Sequence, residues 1–311
     1  MTVFVTRTIP PEGLAVLEEA GIPTAVHPGN TPIGRDALLS GVVGCDGLLC
    51  MLTDRVDEPV LAAGPLQVVA NMAAGTDNLD LEAARRLGVV VTNTPGVLTE
   101  ATADLTFALL LAAARRIVEG DAMVRSGGFQ GWGPLLLVGA DLDGATLGIV
   151  GPGRIGAAVA RRARAFGMEI LVAARRDRPD VGPRVDLDTL LARSDVVSLH
   201  CPLTPGTRHL LGLDQLLAMK PGAILVNTSR GPVVDEDALV EVLRAGHLGA
   251  AALDVYEREP AVHPGLLELP NVVLAPHVGS ATRRTRAAMA RLAAQDLVAV
   301  LEGREPRHPV A

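Results

Sequence analysis

Aromatic residues are scarce in this chain: one Trp, one Tyr and four Phe among 311 residues. Lysine is scarcer still, with Lys220 the sole example, so basic charge is carried by arginine; a GC-rich genome or a hot habitat would each give that bias. Cysteine is limited to Cys45, Cys50 and Cys201, which form no CxxC pair and no metal-ligand spacing. No metal is therefore expected. No apolar run reaches membrane-spanning length, so no membrane partner is expected. No basic run stands out, and a net charge of −7 argues against a nucleic-acid partner. The opening Met1-Thr2-Val3-Phe4 carries no secretory pattern, and the cysteines read as reduced thiols of a cytoplasmic protein.

What is abundant is Ala, Leu, Val and Gly, the balance given by helices packed on a buried sheet. The length suffices for one large or two medium domains. Strands are predicted at 2–6, 47–52, 67–71 and 89–92, with helices at 12–20, 58–63 and 81–87. A long helix capped by Thr99 is predicted from Glu100 to about Glu119, followed by a loop from Gly127 to Pro134 that holds the sole tryptophan, Trp132. A second α/β unit begins at Thr146, with later strands at 169–173, 196–199, 223–228, 250–254 and 272–274 and a final helix over 282–301. Alternating strands and helices mean parallel sheets covered on both faces, here two of them. The last helix is placed to pack back on the first domain, which would make that domain discontinuous.

The most informative stretch is Leu147 to Gly156. A short apolar run meets Gly151-Pro152-Gly153-Arg154-Ile155-Gly156, and an alanine-rich helical pattern follows. Strand, tight turn and helix are the context a dinucleotide-binding fingerprint requires. Gly151 would permit the turn, Gly153 would let backbone approach a pyrophosphate, and Gly156 would let helix and strand pack closely. The next strand ends Leu171-Val172-Ala173-Ala174-Arg175-Arg176. An NAD-specific site usually places an acid there for the ribose hydroxyls. Ala174 supplies none, and Arg175 and Arg176 suit a 2′-phosphate, so NADP(H) is favoured with NAD(H) possible. The two arginines also fit a solvated corner of an arginine-rich chain.

Three further loops follow strands of the second unit: Asn227-Thr228-Ser229-Arg230-Gly231, Asp254 to Pro260, and Ala275-Pro276-His277-Val278-Gly279-Ser280. Ligands bind at the carboxyl ends of such strands. Singly, Arg230 reads as a surface charge, Glu259 as a solvated acid and His277 as a strand-end cap. Together they place an arginine, an acid and an imidazole on one sheet edge.

These motifs resemble the signatures of the D-isomer-specific 2-hydroxyacid dehydrogenases. So do Asn71 to Asn78, Asn93 to Asp104 and His200-Cys201-Pro202-Leu203-Thr204, and the likeness spans almost the whole chain. Pro152 departs from it, standing where a leucine is usual. Within the family the arginines and Trp132 are most similar to glyoxylate/hydroxypyruvate reductases, which act on small 2-keto acids. The resemblance implies a Rossmann cofactor domain over 95–281 and a flavodoxin-like, discontinuous substrate domain over 1–94 and 282–311. It implies Arg230, Glu259 and His277 as catalytic: Arg230 on carboxylate and keto oxygen, His277 as proton donor, Glu259 orienting it. Cofactor contacts would come from Thr102, Gly151, Pro152, Gly153, Arg154, Ile155, Gly156, Ala174, Arg175, Arg176, Cys201, Pro202, Thr228, Ser229, Arg230, Asp254, His277 and Gly279. Leu52, Ala74, Gly75 and Arg230 would bind substrate, with Trp132 reaching across from the partner subunit of a homodimer. Phosphoglycerate, phosphite and D-lactate dehydrogenases share these signatures, as do dinucleotide-sensing corepressors.

Overall fold

Strand and helix alternate from end to end in the structure, a computed structural model that describes residues 1–311. In chain order the elements are β1 (Val3–Val5), α1 (Pro11–Glu19), β2 (Thr24–Val26), α2 (Arg35–Val42), β3 (Gly47–Cys50), α3 (Glu58–Leu61), β4 (Val68–Asn71), α4 (Leu81–Leu87) and β5 (Val90–Thr92). There follow α5 (Thr99–Ala114), α6 (Ile117–Arg125), β6 (Thr146–Val150), α7 (Arg154–Ala165), β7 (Glu169–Ala173), α8 (Leu187–Arg193) and β8 (Val196–Leu199). The last are α9 (Leu213–Leu217), β9 (Ile224–Asn227), a 3-10 turn at Gly231–Val233, α10 (Glu236–Arg244), β10 (Ala250–Leu253), α11 (Pro264–Leu267), β11 (Val272–Leu274) and α12 (Arg283–Leu301). The chain divides into two units, Met1–Leu98 with Ser280–Ala311, and Thr99–Gly279.

The first unit is a five-stranded parallel sheet ordered β2-β1-β3-β4-β5. Its central strands are buried on both faces, and continuous apolar runs such as Val68-Val69-Ala70 are what such burial selects. Helix α12 packs on α1, β3, β4 and β5, which makes the unit discontinuous. Thr282 caps α12 by accepting the Thr285 amide at 3.1 Å. Beyond the helix, Val91 exchanges backbone hydrogen bonds of 2.8 Å with Val310 and Ala311, so the tail covers the free edge of β5. Buried Asp296 fixes that tail by accepting the Arg307 amide and the His308 Nδ1, each at 2.9 Å.

The second unit is a six-stranded parallel sheet ordered β11-β10-β9-β8-β6-β7. A parallel bridge between Val172 and Arg184 adds one residue pair of a further strand beside β7. Counted from β6 as its first strand, the unit then reads 3-2-1-4-5-6-7, the doubly wound dinucleotide-binding order with its third strand reduced to a bridge. The chain leaves β6 first to one side, to β7, and then to the other, to β8. That reversal opens a crevice at the carboxyl end of β6.

One expectation needs correction, and several elements go beyond the sequence reading. The long helix predicted from Glu100 to Glu119 ends at Ala114, and α6 starts again at Ile117. Ala140 donates to the Ala114 carbonyl at 2.8 Å, so the returning chain caps the helix there, and Arg116 takes a left-handed backbone with φ of 51°. Strand β2 and helix α2 are absent from the sequence reading: β2 is a half-exposed edge strand in a stretch broken by Pro23, Pro28, Pro32 and Gly34, so it lacks an apolar signature. The sequence reading places no helix between Phe166 and Thr282, where the structure has α8, α9, α10 and α11.

Candidate active site

The site is built where strands of the second unit end. After β6, Gly151 turns the chain with φ of +88°, and a Cβ there would lie 2.7 Å from the Cys201 amide nitrogen. No L side chain fits, so glycine is required. Gly153 has no atom within 4 Å of where its Cβ would stand, leaving open space in front of the backbone. Arg154, Ile155 and Gly156 form the first turn of α7, whose N–H groups carry the positive end of the helix dipole.

In front of this turn lies a cleft of about 1300 Å³. Gly151, Pro152, Gly153, Ala174, Arg175, Arg176, Cys201 and Pro202 all line it. A crevice of this shape, with open backbone at a helix N-terminus, fits an extended pyrophosphate ligand. The Cys201 thiol is buried, and burial raises its pKa. It packs under the cleft as a protonated thiol and is no nucleophile. Four arginines line the cleft: Arg175, Arg176, Arg178 and Arg184. Arg178 is paired with Asp180 and Arg184 with Asp177. Arg175 and Arg176 are exposed and have no ion-pair partner.

Beyond the cleft, the loops after β9, β10 and β11 come together. His277 Nδ1 meets Glu259 Oε2 at 2.8 Å, and its Nε2 makes no hydrogen bond within the protein. The other Glu259 oxygen accepts the Tyr256 amide at 3.0 Å. Burial pushes the Glu259 carboxyl up, but the His277 hydrogen bond and charge, the Tyr256 amide and the Arg230 charge outweigh it and leave it below its ordinary value. Glu259 is thus held ionised beside both His277 and Arg230. The Arg230 loop is braced by Asn227, whose side-chain amide donates to the Arg230 carbonyl at 2.9 Å and whose oxygen accepts from both amide and hydroxyl of Ser229. Gly231 lies against the Tyr256–Glu257 peptide so tightly that a Cβ would overlap it. This close approach sets the Arg230 loop against the Glu259 loop.

His277 itself has a left-handed backbone, φ of 54°. Asp254, expected as a cofactor contact, holds it there: its two oxygens accept the Val278 and Gly279 amides at 2.7 and 2.8 Å. Burial raises the Asp254 carboxyl against the pull of those amides and of the His277 charge. Thr102 on α5 donates to the Gly279 carbonyl at 3.2 Å, and Thr106 joins Thr102 to Thr228. The expected cofactor residues Thr102, Thr228, Asp254 and Gly279 are therefore one hydrogen-bonded cluster beneath Arg230 and His277.

Tyr256 has no role in the sequence reading. Its hydroxyl donates to the Ala275 carbonyl at 2.8 Å, two residues before His277, while its amide holds Glu259. Burial, aided by nearby Asp254 and Glu259, pushes its pKa up to about 12, so it stays a donor. The available signal was a lone tyrosine inside the loop that carries the acid. Trp132 lies apart from the cleft, 85% exposed on its loop.

In the first unit the loop after β4 is pinned by three asparagines. Asn71 donates to the Gly75 carbonyl at 2.9 Å, Asn93 to the Ala74 carbonyl at 2.7 Å, and Asn78 to the carbonyls of Met51 and Asp54 at 3.0 Å each. With their carbonyls turned inward, the amides of Ala74 and Gly75 donate to no protein group. Leu52 is half-buried in the loop after β3 that Asn78 secures.

Comparison with known proteins agrees with this geometry. The family model for the D-isomer specific 2-hydroxyacid dehydrogenase NAD binding domain matches residues 107–279. The glyoxylate reductase of Thermococcus litoralis is 50% identical over 98% of this chain and 95% of its own length. That of Aeropyrum pernix is 49% identical over 98% and 94%. A protein of Thermus thermophilus of known structure superposes with a TM-score of 0.96 at 53% identity, covering all of both chains. The NADPH-dependent glyoxylate/hydroxypyruvate reductase of Sinorhizobium meliloti, solved with NADP and malonate, gives 0.88 at 35% identity over 100% of this chain and 96% of that one. Identity of this order covers nearly the whole chain, and the chain belongs to the D-isomer-specific 2-hydroxyacid dehydrogenases.

Proposed function

We propose that this chain reduces glyoxylate and hydroxypyruvate to glycolate and D-glycerate, with Thr99–Gly279 as cofactor domain and the discontinuous unit as substrate domain. The observation that carries the reading is the 2.8 Å contact of His277 Nδ1 with ionised Glu259, which leaves Nε2 as the nitrogen that presents a proton. The nicotinamide, when bound, supplies the hydride. Arg230 holds the carboxylate and the keto oxygen, and its fixed charge stabilises the negative charge that builds on that oxygen. His277 Nε2 delivers the proton to the same oxygen. Glu259, in contact with Nδ1, orients the ring. The amides of Ala74 and Gly75, which donate to no protein group, suit a carboxylate. Three buried, unpaired thiols are consistent with a reducing, cytoplasmic setting.

His277→Asn will leave dinucleotide binding intact and lower kcat by about 10²–10⁴-fold, the scale of a general acid. Arg230→Ala will lose both substrate binding and rate, since carboxylate and oxyanion share that partner. Steady-state kinetics on a 2-keto acid panel checks both; near-normal turnover in the two variants removes this site from the chemistry.

The preferred cofactor in this reading is NADP(H). Arg175 and Arg176 stand free on the cleft wall while their neighbours are neutralised, and Ala174 offers no carboxylate to repel a 2′-phosphate. A charge-assisted hydrogen bond contributes about 1.5–3 kcal/mol, roughly ten- to a hundredfold in affinity, reduced by exposure and salt. NADPH will exceed NADH in kcat/KM, Arg175→Ala will narrow the gap, and Ala174→Asp will favour NADH. Equal use of both cofactors by the wild type at physiological salt refutes the preference.

The working form in this reading is a homodimer. Trp132 and Leu135 are each 85% exposed, and Ile117, Val124, Phe129 and Val138 are all more than half exposed on the same segment. Apolar side chains gathered this way mark an interface rather than scattered surface residues. In this reading the partner is a second copy of this chain, and Trp132 reaches its active site. Light scattering at micromolar concentration should give twice the 32.3 kDa chain mass; a monomer rules the arrangement out.

A further inference from the structure

Arg178 is used on every side of its guanidinium. Nε and Nη2 bind the two oxygens of Asp180 at 2.9 and 2.8 Å, and Nη1 donates to the carbonyl of Pro152 at 2.6 Å. Pro152 belongs to the glycine turn after β6, whereas Arg178 belongs to the loop after β7. One side chain therefore ties together two loops of the cleft, and both Pro152 and Arg178 line it.

The rest of the loop is arranged to keep that side chain in place. The Arg178 carbonyl accepts the Val181 and Gly182 amides at 2.8 and 3.1 Å, which fixes its backbone in a turn. Arg164 in the last turn of α7 donates to the Val181 carbonyl at 2.5 Å. An exposed Arg–Asp pair contributes little to stability by itself. Its value here is geometric: the bidentate grip of Asp180 orients the planar fork so that the remaining Nη1 meets one particular oxygen.

That oxygen matters because of Pro152. A proline brings no N–H to the turn, so the peptide before it offers a phosphate no donor. The peptide after it carries the Pro152 carbonyl, whose partial negative charge a pyrophosphate would meet unfavourably. Bonding to a guanidinium fixes this peptide and screens the charge.

We propose that Arg178, set by Asp180, is a positioning residue for the dinucleotide, holding the glycine turn at a fixed distance from the ribose loop. The proposal rests on the reading of the cleft as the cofactor site. It separates Arg178 from its neighbours: Arg175 and Arg176 act on the 2′-phosphate and so on NADPH alone, whereas Arg178 acts on the shared part of both cofactors.

The test is fluorescence titration of wild type, Arg178→Ala, Arg178→Lys and Asp180→Asn with NADPH and with NADH, alongside kcat and KM. Arg178→Ala will raise Kd and KM for both dinucleotides by the same factor, about tenfold, the scale of one charge-assisted hydrogen bond. Its kcat at saturating cofactor will hold. Lysine, which keeps one donor but not the fork, will recover part of the loss, and Asp180→Asn will share it. A loss confined to NADPH would make Arg178 a phosphate ligand and overturn the proposal. Unchanged Kd values would mean that the pair leaves the turn unaffected, with the same result. Failure of the wild type to bind either dinucleotide would overturn the cofactor reading and this proposal with it.

Discussion

The geometry of the candidate site depends on the left-handed backbone at His277. A non-glycine residue with φ of 54° carries a cost of about 1–3 kcal/mol and persists only where its surroundings over-determine it. Here they do. Asp254 accepts the next two amides, Tyr256 holds the carbonyl two residues before, and Glu259 holds the ring. Hydrogen bonds to a charged group contribute about 1.5–3 kcal/mol each, the same scale as the strain they oppose. The result is an imidazole fixed at both backbone and ring, with one nitrogen left to act.

The parallel sheet is what lets these groups meet. Every strand of the second unit ends on the same edge, so residues distant in sequence gather within a few side-chain lengths. Close backbone contacts finish the alignment: Gly151 against the His200–Cys201 peptide, and Gly231 against the Tyr256–Glu257 peptide. Charge is divided between two tasks. The chain is acidic overall, yet its cleft wall holds four arginines, two occupied by aspartates and two free. The occupied pair shapes the wall, and the free pair supplies the field an anionic cofactor meets.

Much of this was legible in the sequence. Strands β7, β8 and β11 fall where their apolar runs place them, because burial on both faces leaves a continuous signature. Arg230, Glu259 and His277 share one sheet edge because each lies in a loop that follows a strand. Less legible were features without periodicity. Edge strand β2 is half-exposed, and α5 ends because Ala140 returns to cap Ala114, an event set by tertiary packing. The bracing of the His277 loop by Asp254, whose oxygens accept the Val278 and Gly279 amides, leaves no mark in the residue pattern. Tyr256 and Arg178 stand within or beside the same motifs. Their roles depend on which carbonyl each reaches, Ala275 or Pro152, and no pattern of residue types specifies that.

The central claim is that Glu259 makes His277 the proton donor. Its most direct test is single-turnover reduction of glyoxylate by Glu259→Gln, with dinucleotide affinity measured on the same protein. A glutamine keeps the size of the side chain but not its charge, and a mis-set ring forfeits most of a general acid's roughly 10²–10⁴-fold contribution. The account predicts a loss of about 10²-fold or more in the chemical step, with cofactor affinity unchanged. A rate within about twofold of wild type would contradict it.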